Sequence, residues 1–311
     1  MDAVDNRREH RSLLIYLSVA YLFTWLLWVP PLLEALPRRW ALPSPDKYAQ
    51  LAVEGFADNQ HLLLALVFSV AVYGPLLGAL IATGHERGSH GVRALLARTF
   101  DPRVAPRWYL VVLVIAVAMS YVPTLLAWIT GSLGQPVLDP GARFALFVPI
   151  LVLQLLTSGL GEEPGWRGYL LPRLQERFSP VRSVWLLGLA WAVWHYPLTA
   201  IYALSGVPAN APAPAGVITI VIALLSQTIG MIGLTYVYVW LFNRTRSIFL
   251  MIVFHALTNA LPFLVPPALG PWALVVGVFP WIVVLVLWLI TRRDFLHSQV
   301  GAPTPESRLT P

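Results

Sequence analysis

The sequence predicts an all-α polytopic transmembrane helical bundle with about eight transmembrane helices and both termini in the cytoplasm. The scarcity of charge, the length of the apolar stretches and the distribution of the basic residues all indicate this class. Of the 311 residues, 57% are hydrophobic and 12% are charged, whereas a soluble domain has about 25% charged residues. The chain has no Cys, which excludes disulfides, thiolate catalysis and Cys-based zinc sites.

Eight apolar stretches approach the roughly 20 residues that a helix needs to cross the hydrocarbon core of a bilayer. The fourth, fifth and seventh are short or interrupted by polar residues. The first follows three arginines but is too long for a cleaved signal peptide, so we expect it to remain as a signal anchor. The predicted spans are 13–33, 62–83, 108–129, 144–160, 184–201, 217–242, 248–265 and 272–290.

The basic residues set the predicted orientation. Of the 21 Lys and Arg residues, Arg38, Arg39, Lys47 and Arg143 fall on one side of the predicted membrane, and the other 17 fall on the side of the termini. Because cytoplasmic loops carry the excess of basic residues, the side of the termini is predicted to be cytoplasmic. The same residues fit anionic lipid headgroups as partners. No basic groove or binding motif indicates nucleic acid as a partner.

The chain is predicted to form a single transmembrane domain over residues 1–295. The remaining segment, 296–311, is polar and contains proline, so we expect it to be a disordered cytoplasmic tail. The loop 34–61 is the longest segment on the predicted extracytoplasmic side. No internal repeat in the sequence supports an inverted-repeat transporter.

Four ionisable residues lie inside or at the end of apolar spans. Such groups are costly in a membrane and by default mark a functional site. Glu162 and Glu163 end the fourth span, His195 lies in the fifth and His255 lies in the seventh. Taken singly, a histidine in an apolar helix also fits a hydrogen-bonded packing residue, and an interhelical hydrogen bond would satisfy it without any chemistry.

The Glu pair is followed by Pro164, which lacks an N–H group and disfavours helical geometry at the preceding residue. With three glycines nearby, this predicts that the helix breaks or kinks between Gly161 and Pro164 beside a polar cavity. The aromatic and apolar residues that follow predict an amphipathic helix at the cytoplasmic interface. The alternative is an ordinary acidic helix end with a Glu163–Arg167 ion pair at i, i+4 spacing.

Together these residues predict one polar cavity in the cytoplasmic half of the bundle, with Asn259 on the same helical face as His255. Two His and a Glu match the ligands of a catalytic zinc, so Glu162, His195 and His255 are candidate metal ligands. In a metal-free reaction, Glu would activate water while His and Asn donate to an oxyanion. Both interpretations indicate amide hydrolysis. His195, however, lies about 20 Å along its helix, too deep for a site at the cytoplasmic end of the fourth span.

Three motifs resemble those of one known family. Glu162-Glu163-x-x-x-Arg167, an aromatic residue four positions before His195, and His255-x-x-x-Asn259 resemble the CPBP family of CAAX prenyl endopeptidases and bacteriocin-processing enzymes. The stretch EEPGWRGYLLPRLQ is especially similar to bacterial members, and the resemblance covers roughly 151–260. The second motif usually opens with Phe, where this chain has an equally bulky Trp. We expect this difference to affect packing more than chemistry.

The resemblance implies a role for each matching residue. Glu162 would activate the attacking water, with His195 and His255 helping to bind or activate it. Asn259 would stabilise the oxyanion. Glu163 and Arg167 complete the first motif, and the arginine would hold the carboxylate in place.

The resemblance also implies a setting for this chemistry. The catalytic core would lie at about 144–265, in a bacterial plasma membrane, with the active site toward the cytoplasm. The substrate would be a membrane-associated protein or peptide, prenylated or not. Family members are described both as metalloproteases and as metal-independent glutamate proteases, so one divalent metal such as Zn stays open as a cofactor.

Two other functional classes fit parts of the pattern. A non-enzymatic membrane protein, such as a bacteriocin immunity factor or a partner-binding scaffold, would use the polar cluster only for helix packing. A transporter would use the intramembrane Glu and His residues as a proton relay. It should then show further polar residues along a path through the bundle.

Overall fold

The computed structural model describes residues 3–134, 138–208, 212–265 and 271–296, and every regular element in them is helical. Most of the tail predicted to be disordered lies outside these residues, although Leu296, its first residue, is buried. The α-helices are α1 Ala3–Arg38, α2 Tyr48–Glu54, α3 Asn59–Ala71, α4 Gly74–Thr99, α5 Arg107–Ile129, α6 Pro140–Gln154, α7 Leu160–Glu163, α8 Leu171–Arg177, α9 Pro180–Ser205, α10 Ala213–Thr245, α11 Ile248–Ala260, α12 Pro271–Val278 and α13 Pro280–Thr291.

The eight predicted apolar spans all fall on helical segments. In the described part of the chain, five helical segments are long and apolar enough to cross a membrane. The number is six if the pair α3 and α4, bent by 44°, forms one span. The two remaining segments, Ile248–Leu264 and Val275–Thr291, are shorter apolar helices. The predicted fold class, an all-α transmembrane bundle, is confirmed. The count of eight and the side on which the termini lie stay predictions.

Large apolar side chains cover much of the outer surface, as expected for a protein surrounded by lipid. Phe144 is 75% exposed, Leu110 62% and Ile290 72%. A soluble protein rarely exposes contiguous apolar surface of this kind. In the core of the bundle, by contrast, most of the largest fully buried side chains are aromatic, among them Trp166, Trp191 and Trp194.

The two ends of the bundle can be told apart by their contacts. At one end Arg177 forms an ion pair with Glu9 (2.8 Å), and the Arg244 side chain donates to the backbone carbonyl of Asp294 (2.7 Å). We call this end the terminal face, because the first helix begins there and the last one ends there. It also contains the turn between α8 and α9.

The opposite face carries the segment 39–58, which follows α1. Arg38 donates to Gln60 (2.9 Å) across this segment. The buried ring of His61 bonds to both of its ends: Nε2 lies 2.8 Å from the carbonyl of Ala41, and Nδ1 accepts from the amide of Ala57 (3.1 Å). The segment is therefore held against the bundle.

The segment with the two glutamates is one continuous helical rod, Pro140–Arg177. It consists of α6, α7 and α8 joined by π-helical turns at Leu155–Gly159 and Pro164–Leu170. The predicted break between Gly161 and Pro164 is wrong, because the chain continues through α7 into the π-helical turn that begins at Pro164. The alternative prediction of a kink stays a prediction. Proline has no N–H to donate in any helical register, and π-helical turns are frequent at functional sites.

The predicted amphipathic interfacial helix after Pro164 is wrong for its first half, because all residues from 164 to 170 are buried. Its second half falls on α8, where Glu176 is exposed. The glycines in this region allow close packing. A Cβ atom on Gly161 would lie 2.7 Å from the carbonyl oxygen of Val72, and one on Gly165 would lie 2.5 Å from that of Pro75. The rod therefore packs backbone to backbone against the bend between α3 and α4. This contact fixes the glutamates in the middle of the bundle.

Candidate functional site

The structure brings four of the predicted site residues to one cavity. Glu162 from α7, His195 from α9, and His255 and Asn259 from α11 all line a cavity of about 210 Å³. That volume can hold several water molecules. Glu163 and Arg167, the other two predicted site residues, lie directly beneath it and are fully buried.

The apparent mismatch in depth between Glu162 and His195 disappears in the structure. Because the rod continues to Arg177, Glu162 lies 15 residues before its end, and His195 lies 15 residues after the start of α9 at Pro180. At 1.5 Å per residue, both are about 22 Å from the turn that joins the two helices. The mismatch arose from placing the end of the fourth span at the glutamates.

One oxygen of the Glu162 carboxylate accepts a hydrogen bond from the protein, and the other lies near His255 without a direct hydrogen bond to it. Oε2 accepts a hydrogen bond from Nε1 of Trp191 (2.7 Å). Oε1 lies 3.8 Å from Nε2 of His255, which is too long for a direct hydrogen bond but suits a bridging water. Trp at position 191 adds a contact that a Phe could not make, because its indole N–H donates to the carboxylate. The expectation that the difference affects packing more than chemistry stays a prediction.

Glu163, Arg167 and His255 form a buried network below Glu162. Oε1 of Glu163 accepts from Nη1 of Arg167 (2.9 Å) and from Nδ1 of His255 (2.7 Å). The guanidinium also lies over the rings of Trp191 (4.2 Å) and Tyr238 (3.7 Å). The alternative, an acidic helix end with a Glu163–Arg167 pair, is wrong about the helix end, because the rod continues to Arg177. The i, i+4 ion pair itself is present and fully buried.

Hydrogen bonding assigns the same tautomer to the neutral form of both histidines. Glu163 accepts from Nδ1 of His255, and the backbone carbonyl of Trp191 accepts from Nδ1 of His195 (2.9 Å). A carbonyl or carboxylate oxygen only accepts, so each Nδ1 carries the proton. Each Nε2 then keeps its lone pair for a water or another group in the cavity.

Asn259 is held by two residues that are not among the predicted site residues. Its Nδ2 donates to Oε1 of Gln154 (2.8 Å), and Nε2 of Gln154 donates to the hydroxyl of Tyr48. One N–H of the Asn259 amide remains for the cavity. Gln154 is a polar residue in an apolar span, which is a usable signal, although a neutral amide stands out less than an ionisable group does. Tyr48 lies in a predicted loop, and nothing in the sequence around it indicates that it belongs to the site.

The predicted metal ligands are not arranged as a metal site. Among the described residues, no three His, Asp or Glu side chains are placed so that they could hold a metal ion. Glu162, His195 and His255 line the same cavity, but they do not close around one point. Their present arrangement does not fit a metal, and a metal cofactor stays a prediction.

The cavity extends from the glutamates toward the opposite face. Of the residues that line it, Pro45 and Leu153 are exposed, and all others are buried or half-buried. Tyr48 and Gln154 lie at this same end. On the side of the terminal face, residues 164–171 are buried. The mouth therefore lies on the opposite face, so the two sequence predictions, cytoplasmic termini and a cytoplasmic opening, cannot both hold.

Comparison with known proteins identifies part of the chain. Residues 144–261 match the sequence model of a family described as type II CAAX prenyl endopeptidase Rce1-like. Over 69 residues the chain is 44% identical to CAAX prenyl protease 2 of Methanococcus maripaludis. This alignment covers 22% of the chain and 25% of the relative, so it spans a quarter of the relative's length.

Proposed function

We propose that the chain is an intramembrane endopeptidase of the CPBP family, because residues 144–261 match a CAAX prenyl endopeptidase family model and contain the three motifs. It hydrolyses a peptide bond in a membrane-associated protein or peptide. The observation that supports this function best is the Glu162 carboxylate. It lines a cavity, is oriented by an indole N–H, and lies one water's width from an imidazole nitrogen.

The proposed reaction begins with a water between Oε1 of Glu162 and Nε2 of His255. Glu162 takes a proton from this water as the new C–O bond forms at the substrate carbonyl. His255 accepts a hydrogen bond from the second O–H of this water through Nε2 and orients it. His195 presents its Nε2 to the same cavity and helps to bind the water and substrate there. The same carboxyl group then gives its proton to the departing amine as the C–N bond breaks, which balances the hydrolysis.

Asn259 stabilises the oxygen that becomes negative in this step. Its remaining amide N–H donates to the tetrahedral intermediate, in the manner of an oxyanion hole. Gln154 accepts from the other N–H and thereby fixes which end of the amide faces the substrate. Gln154 is thus a positioning residue. Glu163 and Arg167 have the same kind of role, because they hold the ring of His255 and do not line the cavity.

The shape of the cavity does not favour the transporter hypothesis. A transport path has to reach both faces of the bundle in turn. The cavity ends at the glutamates, above the buried residues 164–170. A non-enzymatic role predicts the same contacts as the protease does, so the two are distinguished by experiment.

The test works without a known substrate. Membranes from cells expressing either the wild type or Glu162→Gln are compared by mass spectrometry of protein termini. We expect new termini in membrane-associated proteins with the wild type, and their absence with the variant. Identical termini in the two samples, at equal amounts of folded protein, would show that the chain is not a protease of this kind. Metal analysis of the purified wild type tests the zinc alternative separately.

A further inference from the structure

The position of the cavity mouth bears on where the substrate comes from. Gln154 precedes Glu162 by eight residues on the same rod. It therefore lies about 12 Å closer to the opposite face. Pro45 and Leu153, the exposed wall residues, lie beside Tyr48 and Gln154 in the chain. A peptide that reaches Glu162 from the mouth thus passes beneath the segment 39–58.

The terminal face offers no comparable route. Trp166, Arg167, Tyr169, Leu170 and Leu171 are all at most 3% exposed and occupy the space below the glutamates. An aromatic cluster from α1 closes the same region: the ring of Tyr16 lies 5.9 Å from that of Trp166 and 4.8 Å from that of Tyr169. Opening a path here would require breaking the core of the bundle.

The distribution of basic residues assigns a compartment to each face. Arg38, Arg39 and Lys47, three of the four basic residues on the sparsely charged side, lie at or within the segment beside the mouth. The sequence assigns the other 17 to the side of the termini. Of these, Arg167 lies in the buried core and Arg308 lies outside the described residues, so 15 remain for that side. By the positive-inside rule, the opposite face is extracytoplasmic.

We infer that the substrate is a membrane-anchored peptide presented from the extracytoplasmic side, and that it passes under the segment 39–58 to reach Glu162. The cleavage itself rests on the proposed function, whereas the side of access does not. The wall between mouth and glutamates suits apolar side chains on either side of the cleaved bond. It includes Trp28, Phe68, Leu198 and Met231.

The absence of Cys makes the side of access directly measurable, because any introduced cysteine is the only thiol in the chain. Ser158→Cys places a thiol in the cavity wall. Ser205→Cys and Ser89→Cys are matched controls at exposed positions, on the opposite face and on the terminal face respectively. Each variant is treated with a small, charged, membrane-impermeant thiol reagent, in spheroplasts and in inside-out vesicles.

We expect Ser158→Cys and Ser205→Cys to react in spheroplasts, and Ser89→Cys to react only in inside-out vesicles. Reaction of Ser158→Cys only in inside-out vesicles would overturn the inference. So would reaction in neither preparation when all three variants react in detergent. If Ser158→Cys does not fold, Ser69→Cys is a second reporter in the same wall.

The labelling also separates this inference from the proposed function. Adding Glu162→Gln to Ser158→Cys removes the proposed general base but leaves the mouth unchanged. We expect the double variant to label from the same side and at a similar rate. Failure of proteolysis with extracytoplasmic labelling would refute only the enzyme, and proteolysis with cytoplasmic labelling would refute only the side of access.

Discussion

The two halves of the rod Pro140–Arg177 have opposite environments although they are one continuous helical segment. Toward the opposite face, Leu153, Thr157 and Ser158 line the cavity and are half-buried or exposed. Toward the terminal face, all residues from 164 to 170 are buried, including the charged Arg167. We call the half toward the opposite face the open half and the half toward the terminal face the sealed half. Glu162 lies at the boundary between them, and Glu163 is the first charged residue of the sealed half.

This difference indicates that adjacent charged residues have different roles, one in the reaction and one in the stability of the fold. Groups in the open half contact water and substrate, so their loss should affect rate more than folding. Charged groups in the sealed half are paired with one another away from the cavity, as Glu163 is with Arg167, so their loss should affect folding first. A buried ion pair that loses one partner leaves an uncompensated charge, which is far more costly than the pair itself.

The largest effect is expected from breaking the sealed half. Arg167→Ala removes the partner of Glu163 and the cation between Trp191 and Tyr238, which should cost about 3–5 kcal/mol of folding free energy. Thermal unfolding of the purified protein in detergent measures this loss. Arg182→Ala is the matched control, because Arg182 is exposed near the start of α9. Equal unfolding temperatures of the two variants would show that the buried network does not stabilise the fold.

A smaller effect is expected at the boundary. Trp191→Phe keeps an aromatic ring but removes the donor to Glu162, and a hydrogen bond to a charged group is worth about 1.5–3 kcal/mol. We expect the cleavage rate to fall about 10- to 100-fold. Trp194→Phe is the matched control, since that indole is also buried but donates to the backbone carbonyl of Ala20 (3.0 Å). A similar loss of rate in both variants would mean that packing, not orientation of the carboxylate, explains the effect.

The smallest effect is expected at the mouth. Tyr48→Phe removes the hydroxyl that accepts from Gln154, and a neutral hydrogen bond contributes about 0.5–1.5 kcal/mol. The cleavage rate should fall a few-fold while the unfolding temperature changes little. Tyr202→Phe removes a hydroxyl outside this chain of contacts and should leave the rate at the wild-type value. An unchanged rate in Tyr48→Phe would show that Tyr48 and Gln154 do not position Asn259.

Most of the fold and the site residues follow from local features of the sequence. The eight apolar stretches and the i, i+4 pairs are local patterns, and each has a helix in the structure. The break at Pro164 could not be judged locally. Whether a proline breaks a helix depends on neighbours such as Val72 and Pro75, which pack against the adjacent glycines.

Contacts between residues that are far apart in the chain could not be predicted from the sequence either. The contact between Tyr48 and Gln154 joins residues 106 positions apart, and no periodicity indicates it. The donor role of Trp191 depends on how α9 is rotated against the rod. The direction of the cavity depends on which half of the rod is sealed, and that follows from packing rather than from composition.

The most direct test of the central claim compares Glu162→Gln with Glu163→Gln, two chemically equal changes at adjacent positions. The rate of appearance of a wild-type-dependent terminus and the unfolding temperature are measured for both. We expect Glu162→Gln to lose about 10²- to 10⁴-fold in rate, as for loss of a general acid–base group, with an unfolding temperature no lower than that of the wild type. Glu163→Gln should lower the unfolding temperature. A wild-type rate in Glu162→Gln, or a loss of rate seen only together with unfolding, would contradict the account.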